Sequence, residues 1–221
     1  VLLPALSRSV RDSALYRDVL FGFTRLVAIL LIPAGVGMAI VAPEAMHLIA
    51  GPNWAEAGRL LRVLSIAITV QGFINAAGSI LLSVGQTGRL FAASIVIASL
   101  HLVAYGIGLA VGIRYGQPAM GVAASYSLVV LLVFAPYMVF CLRRTGVPAG
   151  DWFRVLWPII GASASMGLSV ALTRYFVLYT LHLSPLSTLA ITVPLGIALM
   201  ALLARSQVQW FWGQMQALRS R

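Results

Sequence analysis

The sequence predicts an all-α, polytopic transmembrane helical bundle of about six membrane-spanning helices, with both termini in the cytoplasm. The first supporting observation is six stretches without Asp, Glu, Lys or Arg: 26–43, 63–88, 90–113, 115–142, 155–173 and 175–204. A helix rises about 1.5 Å per residue, so about 20 apolar residues cross a hydrocarbon core of about 30 Å. Every stretch reaches or approaches that length. The second is composition: 61% of the 221 residues are hydrophobic and 9% charged, and mean hydropathy is +0.98. A soluble domain usually carries about 25% charged residues, so this chain has too little polar surface to cover a globule in water. The third is that the alternating segments of an outer-membrane barrel are missing. Helices remain as the way to satisfy every backbone N–H and C=O in lipid.

Charge placement sets the expected orientation. All 15 basic residues are Arg, and the net charge is +10. A basic chain raises the question of nucleic acid, but these arginines lie at the ends of apolar runs, so no nucleic-acid partner is expected. Eleven fall before the first span, between the second and third, between the fourth and fifth, or after the sixth. The other four, Arg59, Arg62, Arg114 and Arg174, fall on the opposite side. The positive-inside rule places both ends in the cytoplasm, and an even number of spans requires them to share a side.

Each element follows from local sequence. Residues 1–20 read as the end of a preceding helix, broken at Pro4, followed by a short cytoplasmic surface helix from Ser9 to Asp18. With no initiator Met and no signal-peptide pattern, the chain is expected to be part of a longer protein. The transmembrane region is 21–205. Its first span, 22–43, contains Pro33, whose ring removes one helical hydrogen bond. Pro33, Gly35 and Gly37 form the candidate hinge. Glu44 to Asn53 is expected to be an external loop, ended by Gly51-Pro52-Asn53. Spans at 55–84 and 89–113 flank a tight turn, Gly85-Gln86-Thr87-Gly88. Gly116-Gln117-Pro118 leads to 119–142, and Gly146 to Gly150 leads to 152–178. Ser184-Pro185 opens 186–205.

A basic, aromatic tail over 206–221 is expected to lie on the anionic cytoplasmic leaflet. Trp152, Trp157, Trp210 and Trp212 at one set of helix ends, and Tyr175 and Tyr179 at the other, are expected to form aromatic belts. Cys141 reads as a buried small apolar residue.

Polar residues inside the spans are the functional candidates. Gln71, Asn75, Gly78, Ser79 and Gln86 share an arc of about 100° on the second span. Two carboxamides are expected to face other helices or a wet cavity, either as interhelical hydrogen bonds or as the lining of a hydrophilic passage. Ser94, His101, Tyr105, Gly108 and Gly112 share a face of the third span. Its G-x-x-x-G pair permits close helix approach. Mid-span His101 reads either as a proton relay or ligand donor, or as a neutral imidazole bonded to a neighbouring helix. Arg25, near the cytoplasmic end of the first span, either snorkels or pairs with a phosphate. Arg59 and Arg62, opposite the polar stripe, suit headgroups.

No enzyme is expected. The five acids (Asp12, Asp18, Glu44, Glu56 and Asp151) all read as interfacial, and none could pair within the membrane. His47, His101 and His182 lack metal-ligand spacing, so neither metal nor cofactor is expected. Nucleophile-elbow, zinc-protease and Walker patterns are absent, so any transport is not directly driven by ATP unless a partner supplies it.

An ordered set of short segments then resembles one family, the polysaccharide flippases of the multidrug/oligosaccharidyl-lipid/polysaccharide exporter superfamily. Leu2-Leu3-Pro4-Ala5-Leu6-Ser7-Arg8 is similar to its L-F-P-x-[LI]-S-R segment, and Pro33 to Gly37 to its P-x-x-x-G helix. Gly51-Pro52-Asn53-Trp54-Ala55-Glu56-Ala57 resembles its external G-x-x-W-x-x-A signature, continued by Leu60-Leu61-Arg62-Val63-Leu64. Gly85-Gln86-Thr87-Gly88-Arg89 is similar to its A-x-G-[KR] turn, with Val84 a departure. Gly116 and Gly121-Val122-Ala123-Ala124 resemble its G-x-x-G-V-A segment with one extra residue between the glycines.

The resemblance covers residues 1 to about 145. It implies the C-terminal part of a flippase built from two six-helix lobes and often two further helices. Such a protein moves undecaprenyl-pyrophosphate-linked saccharide across the bacterial inner membrane by alternating access, for exopolysaccharide, capsule or O-antigen synthesis. The implied partners are the lipid-linked oligosaccharide, membrane lipids, and polysaccharide polymerase and export machinery. Gln71, Asn75 and Ser79 would suit sugar hydroxyls, Arg25 would suit pyrophosphate, and His101 and Tyr105 are further candidate cavity-lining or substrate-contacting residues. The alternatives are a drug/cation antiporter or lipid II flippase, an integral membrane transferase using His101, and a purely structural subunit.

Overall fold

The computed structural model describes residues 2–180 and 184–205. The chain is all-α, with no strand among the described residues. Its helices are α1 (Leu2–Ser9), α2 (Ser13–Ala50), α3 (Ala55–Ser83), α4 (Thr87–Arg114), α5 (Pro118–Leu142), α6 (Ala149–Tyr175) and α7 (Pro185–Leu203). A 3₁₀ turn, Pro52–Trp54, precedes α3, and a π-helical turn, Phe176–Thr180, extends α6. Six helical segments are long and apolar enough to cross a membrane, so the chain is a multi-pass membrane protein. The expected tail over 206–221, with Trp210 and Trp212, and His182 lie outside the described residues.

Helix α2 departs from the expected boundaries. It absorbs both the surface helix and the expected loop after residue 43 and reaches about 57 Å, well beyond a bilayer core. Asp12 starts it by accepting from the N–H groups of Ala14 and Leu15 at 3.0 and 3.1 Å. Gly51, at φ 91°, ends it, donating to the carbonyl of His47 at 3.0 Å. Pro33 and Pro43 lie inside it without ending it. Packed neighbours can hold such a helix together where a proline removes one bond.

The α2–α3 hairpin is antiparallel and runs at backbone contact. A Cβ on Gly58 would stand 2.9 Å from Pro43 Cα, and one on Gly35 would stand 2.9 Å from the Ser65 carbonyl. Gly35 is therefore a close packing contact with α3. At the far end of the hairpin, the Tyr16 and Ser83 hydroxyls share a 2.9 Å hydrogen bond. The turns after α3 and α4 close in the same way. Gln86 N–H donates to Leu81 and Gly85 N–H to Leu82; Gln117 N–H donates to Gly112 and Gly116 N–H to Ile113. Gly85 and Gly116 supply the positive φ that this cap requires.

Helices α2 and α6 run parallel and are tied at both ends. Arg17 pairs with Asp151 at 2.8 Å, and Arg174 pairs with Glu44 at 2.6 Å. Beside the Arg17–Asp151 tie, Phe73, Phe134, Trp152 and Phe153 pack with ring centroids 5.0–6.5 Å apart. Trp152 thus leaves the expected aromatic belt. It is buried, and its indole N–H donates to Thr24 Oγ1 at 2.8 Å. A buried indole needs an acceptor, and α2 provides one across the helix interface. Tyr175 is exposed at the end of α6, Trp157 is exposed two turns after its start, and Cys141 is buried.

Candidate functional site

Three helices bring mid-span polar and aromatic groups together. Helix α4 approaches α5 at Gly108 and Gly121, where each glycine's missing side chain leaves room for the other's backbone carbonyl. A residue with a Cβ at either position would push the helices apart. Helix α5 lies against α3, where Ser127 Oγ donates to the Val63 carbonyl at 2.9 Å. This packing places Tyr126 between Gln71 and His101. Its hydroxyl donates to Gln71 Oε1 at 3.3 Å, and its ring centroid is 5.5 Å from that of His101. Tyr105 completes the group, 5.8 Å from His101 and 6.4 Å from Tyr126, stacked at 30° on the latter.

The histidine is fixed by its own helix. Nδ1 lies 2.8 Å from the Ile97 carbonyl. A carbonyl can only accept, so Nδ1 carries the proton. Nε2 is then the ring's open position, and it is buried without a hydrogen-bond partner among the described residues. The expected bond to a neighbouring helix is replaced by this local bond and by tyrosine rings. Chemically, the cluster offers two aromatic faces, a carboxamide N–H₂ and an imidazole nitrogen at the middle of a membrane-length helix.

The remaining sequence candidates separate from this cluster. Asn75 is exposed and Ser79 half-buried. Asn75 shares a face with Gln71, which meets α5, and with Gly78, whose Cβ would lie 3.7 Å from Leu90 of α4. Of its two expected surroundings, another helix or a wet cavity, no helix covers it among the described residues. Arg25 lies on α2, whose backbone does not approach that of α4 or α5. It precedes by one helical turn a cleft of about 510 Å³ between α2, α6 and α7. Pro33 and Gly37 line that cleft together with Ile29, Met166, Gly196 and Met200. Its walls are almost wholly apolar, and the Thr192 hydroxyl in it is engaged by the Thr188 carbonyl at 2.7 Å.

Glu44 is buried, and Arg174 of α6 pairs with it at 2.6 Å. Tyr126, Thr24 and the Glu44–Arg174 pair escaped the sequence reading. Tyr126 carried only a weak signal, an aromatic hydroxyl within an apolar span; its place opposite Gln71 is set by the packing of α5 on α3. Among the described residues, no three His, Cys, Asp or Glu side chains group closely enough to hold a metal.

Residues 1–59 match a family model described as "Polysaccharide biosynthesis protein". Comparison with curated proteins and with solved structures gives no match. The matched segment covers α1, α2 and the first residues of α3, including the cleft residues contributed by α2. Together with six membrane-length helices, it fits a multi-pass membrane protein of polysaccharide biosynthesis.

Proposed function

We propose that this chain is part of a transporter that flips undecaprenyl-pyrophosphate-linked saccharide across the bacterial inner membrane by alternating access. The observation that carries this reading is the match of residues 1–59 to polysaccharide biosynthesis proteins in a chain of six membrane-length helices. The two kinds of surface in the bundle support it. A flipped lipid-linked sugar must shelter a polar glycan while its tail stays in hydrocarbon. Gln71, Tyr105, Tyr126 and His101 offer hydrogen bonds and ring faces to a sugar. The apolar cleft at Pro33 and Gly37 offers a path for the tail, with Arg25 one turn away to meet pyrophosphate.

In this reading both termini are cytoplasmic, the chain is not an enzyme, and polymerase and export machinery act beside it. Deleting the full-length gene is expected to abolish surface polysaccharide and leave lipid-linked repeat units on the cytoplasmic face. Normal polymer in a strain without a second flippase overturns the proposal. One observation favours the drug/cation antiporter: Glu44 is a buried carboxylate with one oxygen unpartnered among the described residues. Drug susceptibility of the same deletion strain separates the two readings.

A further inference from the structure

Helices α4 and α5 form a V. Its apex is the glycine contact, where Gly112 meets Pro118 and Gly108 meets Gly121. Away from the apex the helices part and leave a groove of about 690 Å³, walled by Ala93, Val96 and Leu100 of α4 and Leu132, Pro136 and Phe140 of α5. Small Ala93 on α4 gives the groove depth. The groove is apolar along its length and cationic at its mouth. Arg89 lines it, with Nη1 donating to Gln86 Oε1 at 2.7 Å. Across the mouth, the Arg144 guanidinium lies 5.4 Å from the centroid of the Phe140 ring. Both arginines are exposed, and neither is ion-paired among the described residues. Asp151, an acid at this end of the bundle, is engaged by Arg17 and Arg154. From Arg89 to Leu100, α4 rises about 16 Å, close to half of a hydrocarbon core of about 30 Å.

We propose that this groove binds an anionic glycerophospholipid of the leaflet at the Arg89 end, with its phosphate between Arg89 and Arg144 and one acyl chain between α4 and α5. Guanidinium groups match phosphate oxygens in bidentate fashion, and basic pockets between membrane helices hold anionic headgroups. The depth of the groove selects the occupant. An acyl chain needs one leaflet and ends where the groove ends, whereas a longer polyprenyl chain outruns it. The site is separate from the α2–α6–α7 cleft and does not depend on the transport reading.

The test uses the chain purified in neutral detergent, offered palmitoyl-oleoyl phosphatidylglycerol or phosphatidylcholine with the same chains, with bound lipid counted by native mass spectrometry. One phosphatidylglycerol per chain is expected, held roughly tenfold or more tighter than phosphatidylcholine, since each basic side chain near an anionic lipid contributes about a fivefold factor. The double variant Arg89→Gln/Arg144→Gln is expected to reduce phosphatidylglycerol to the phosphatidylcholine level. Arg114→Gln, an exposed arginine at the opposite end of α4, is expected to change nothing. Ala93→Phe, which fills the floor, is expected to weaken both lipids. Equal retention of the two lipids by the unmodified chain overturns the proposal even where a variant fails to fold. Unchanged selectivity in the folded double variant also overturns it. So does displacement of phosphatidylglycerol by equimolar undecaprenyl phosphate, which would assign the groove to a polyprenyl lipid.

Discussion

Arg174 donates from both Nε and Nη2 to a single carboxylate oxygen of Glu44, at 3.0 and 2.6 Å. The second oxygen, Oε2, is buried without a hydrogen-bond partner among the described residues. The pair ties the end of α6 to α2 and leaves the acid more deeply enclosed than the base. Side-chain exposure is 8% for Glu44 and 23% for Arg174.

That asymmetry predicts an order of stability. Arg174→Gln strands a buried carboxylate and is expected to cost about 3 kcal/mol, the lower end of the range for breaking buried pairs. Glu44→Gln leaves a guanidinium that still reaches solvent, and is expected to cost about 1–2 kcal/mol. A double apolar replacement, Glu44→Leu/Arg174→Leu, is expected to recover most of the loss. Denaturation in detergent micelles measures all three. Equal losses for the two single variants would contradict the burial argument.

Gly121 and Gly106 make a matched pair of helix glycines. A methyl group at Gly121 would meet the backbone of Gly108, whereas one at Gly106 would meet nothing within 4 Å. Gly121→Ala is expected to destabilise by about 1–3 kcal/mol through overpacking. Gly106→Ala is expected to be neutral or to stabilise by up to about 1 kcal/mol, because alanine is the better helix former. Thermal unfolding of both variants in the same detergent checks the contrast.

What could be read in the sequence follows from the range of each interaction. The six apolar runs and the G-x-x-x-G pair, Gly108 and Gly112, depend on composition and local spacing, and they correspond to membrane-length helices and to the α4–α5 contact. Trp152 misled because a tryptophan at a helix end resembles a belt residue until Thr24, 128 positions away, is seen to accept its N–H. The partner of Glu44 was hidden for the same reason: Arg174 lies 130 positions on. The candidate site divides along the same line. Gln71, His101 and Tyr105 were legible as polar groups in apolar helices. Tyr126, which joins them, was not, because its role depends on the register of α5 against α3. Asn75 shares their pattern and is exposed rather than joined to them.

The polar cluster predicts graded effects on transport. Tyr126→Phe removes the hydroxyl that holds Gln71 but keeps the ring, and is expected to lower polymer export about threefold to fivefold, the size of one hydrogen bond. His101→Ala removes both the imidazole nitrogen and a ring face, and is expected to lower it tenfold or more. Asn75→Ala, on the exposed side, is expected to leave export unchanged. Complementation of a deletion strain with each variant, normalised to membrane expression, measures the series. A null effect of His101→Ala would remove the cluster from the transport path.

The cleft can be tested without disturbing the core. Gly37 lines it, and a Cβ there would meet nothing within 4 Å. Gly37→Leu can therefore fold as α2 does now while placing an isobutyl group in a space of about 510 Å³. Gly22, also on α2 and also open, lies outside the cleft, so Gly22→Leu controls for a bulky apolar side chain on this helix. If a hydrocarbon chain passes along Pro33 and Gly37, Gly37→Leu is expected to cut export at least tenfold with unchanged membrane level and melting temperature, and Gly22→Leu is expected to export normally. Full export by Gly37→Leu would show that the cleft is ordinary lipid-facing relief, and the tail path would have to be sought elsewhere in the bundle.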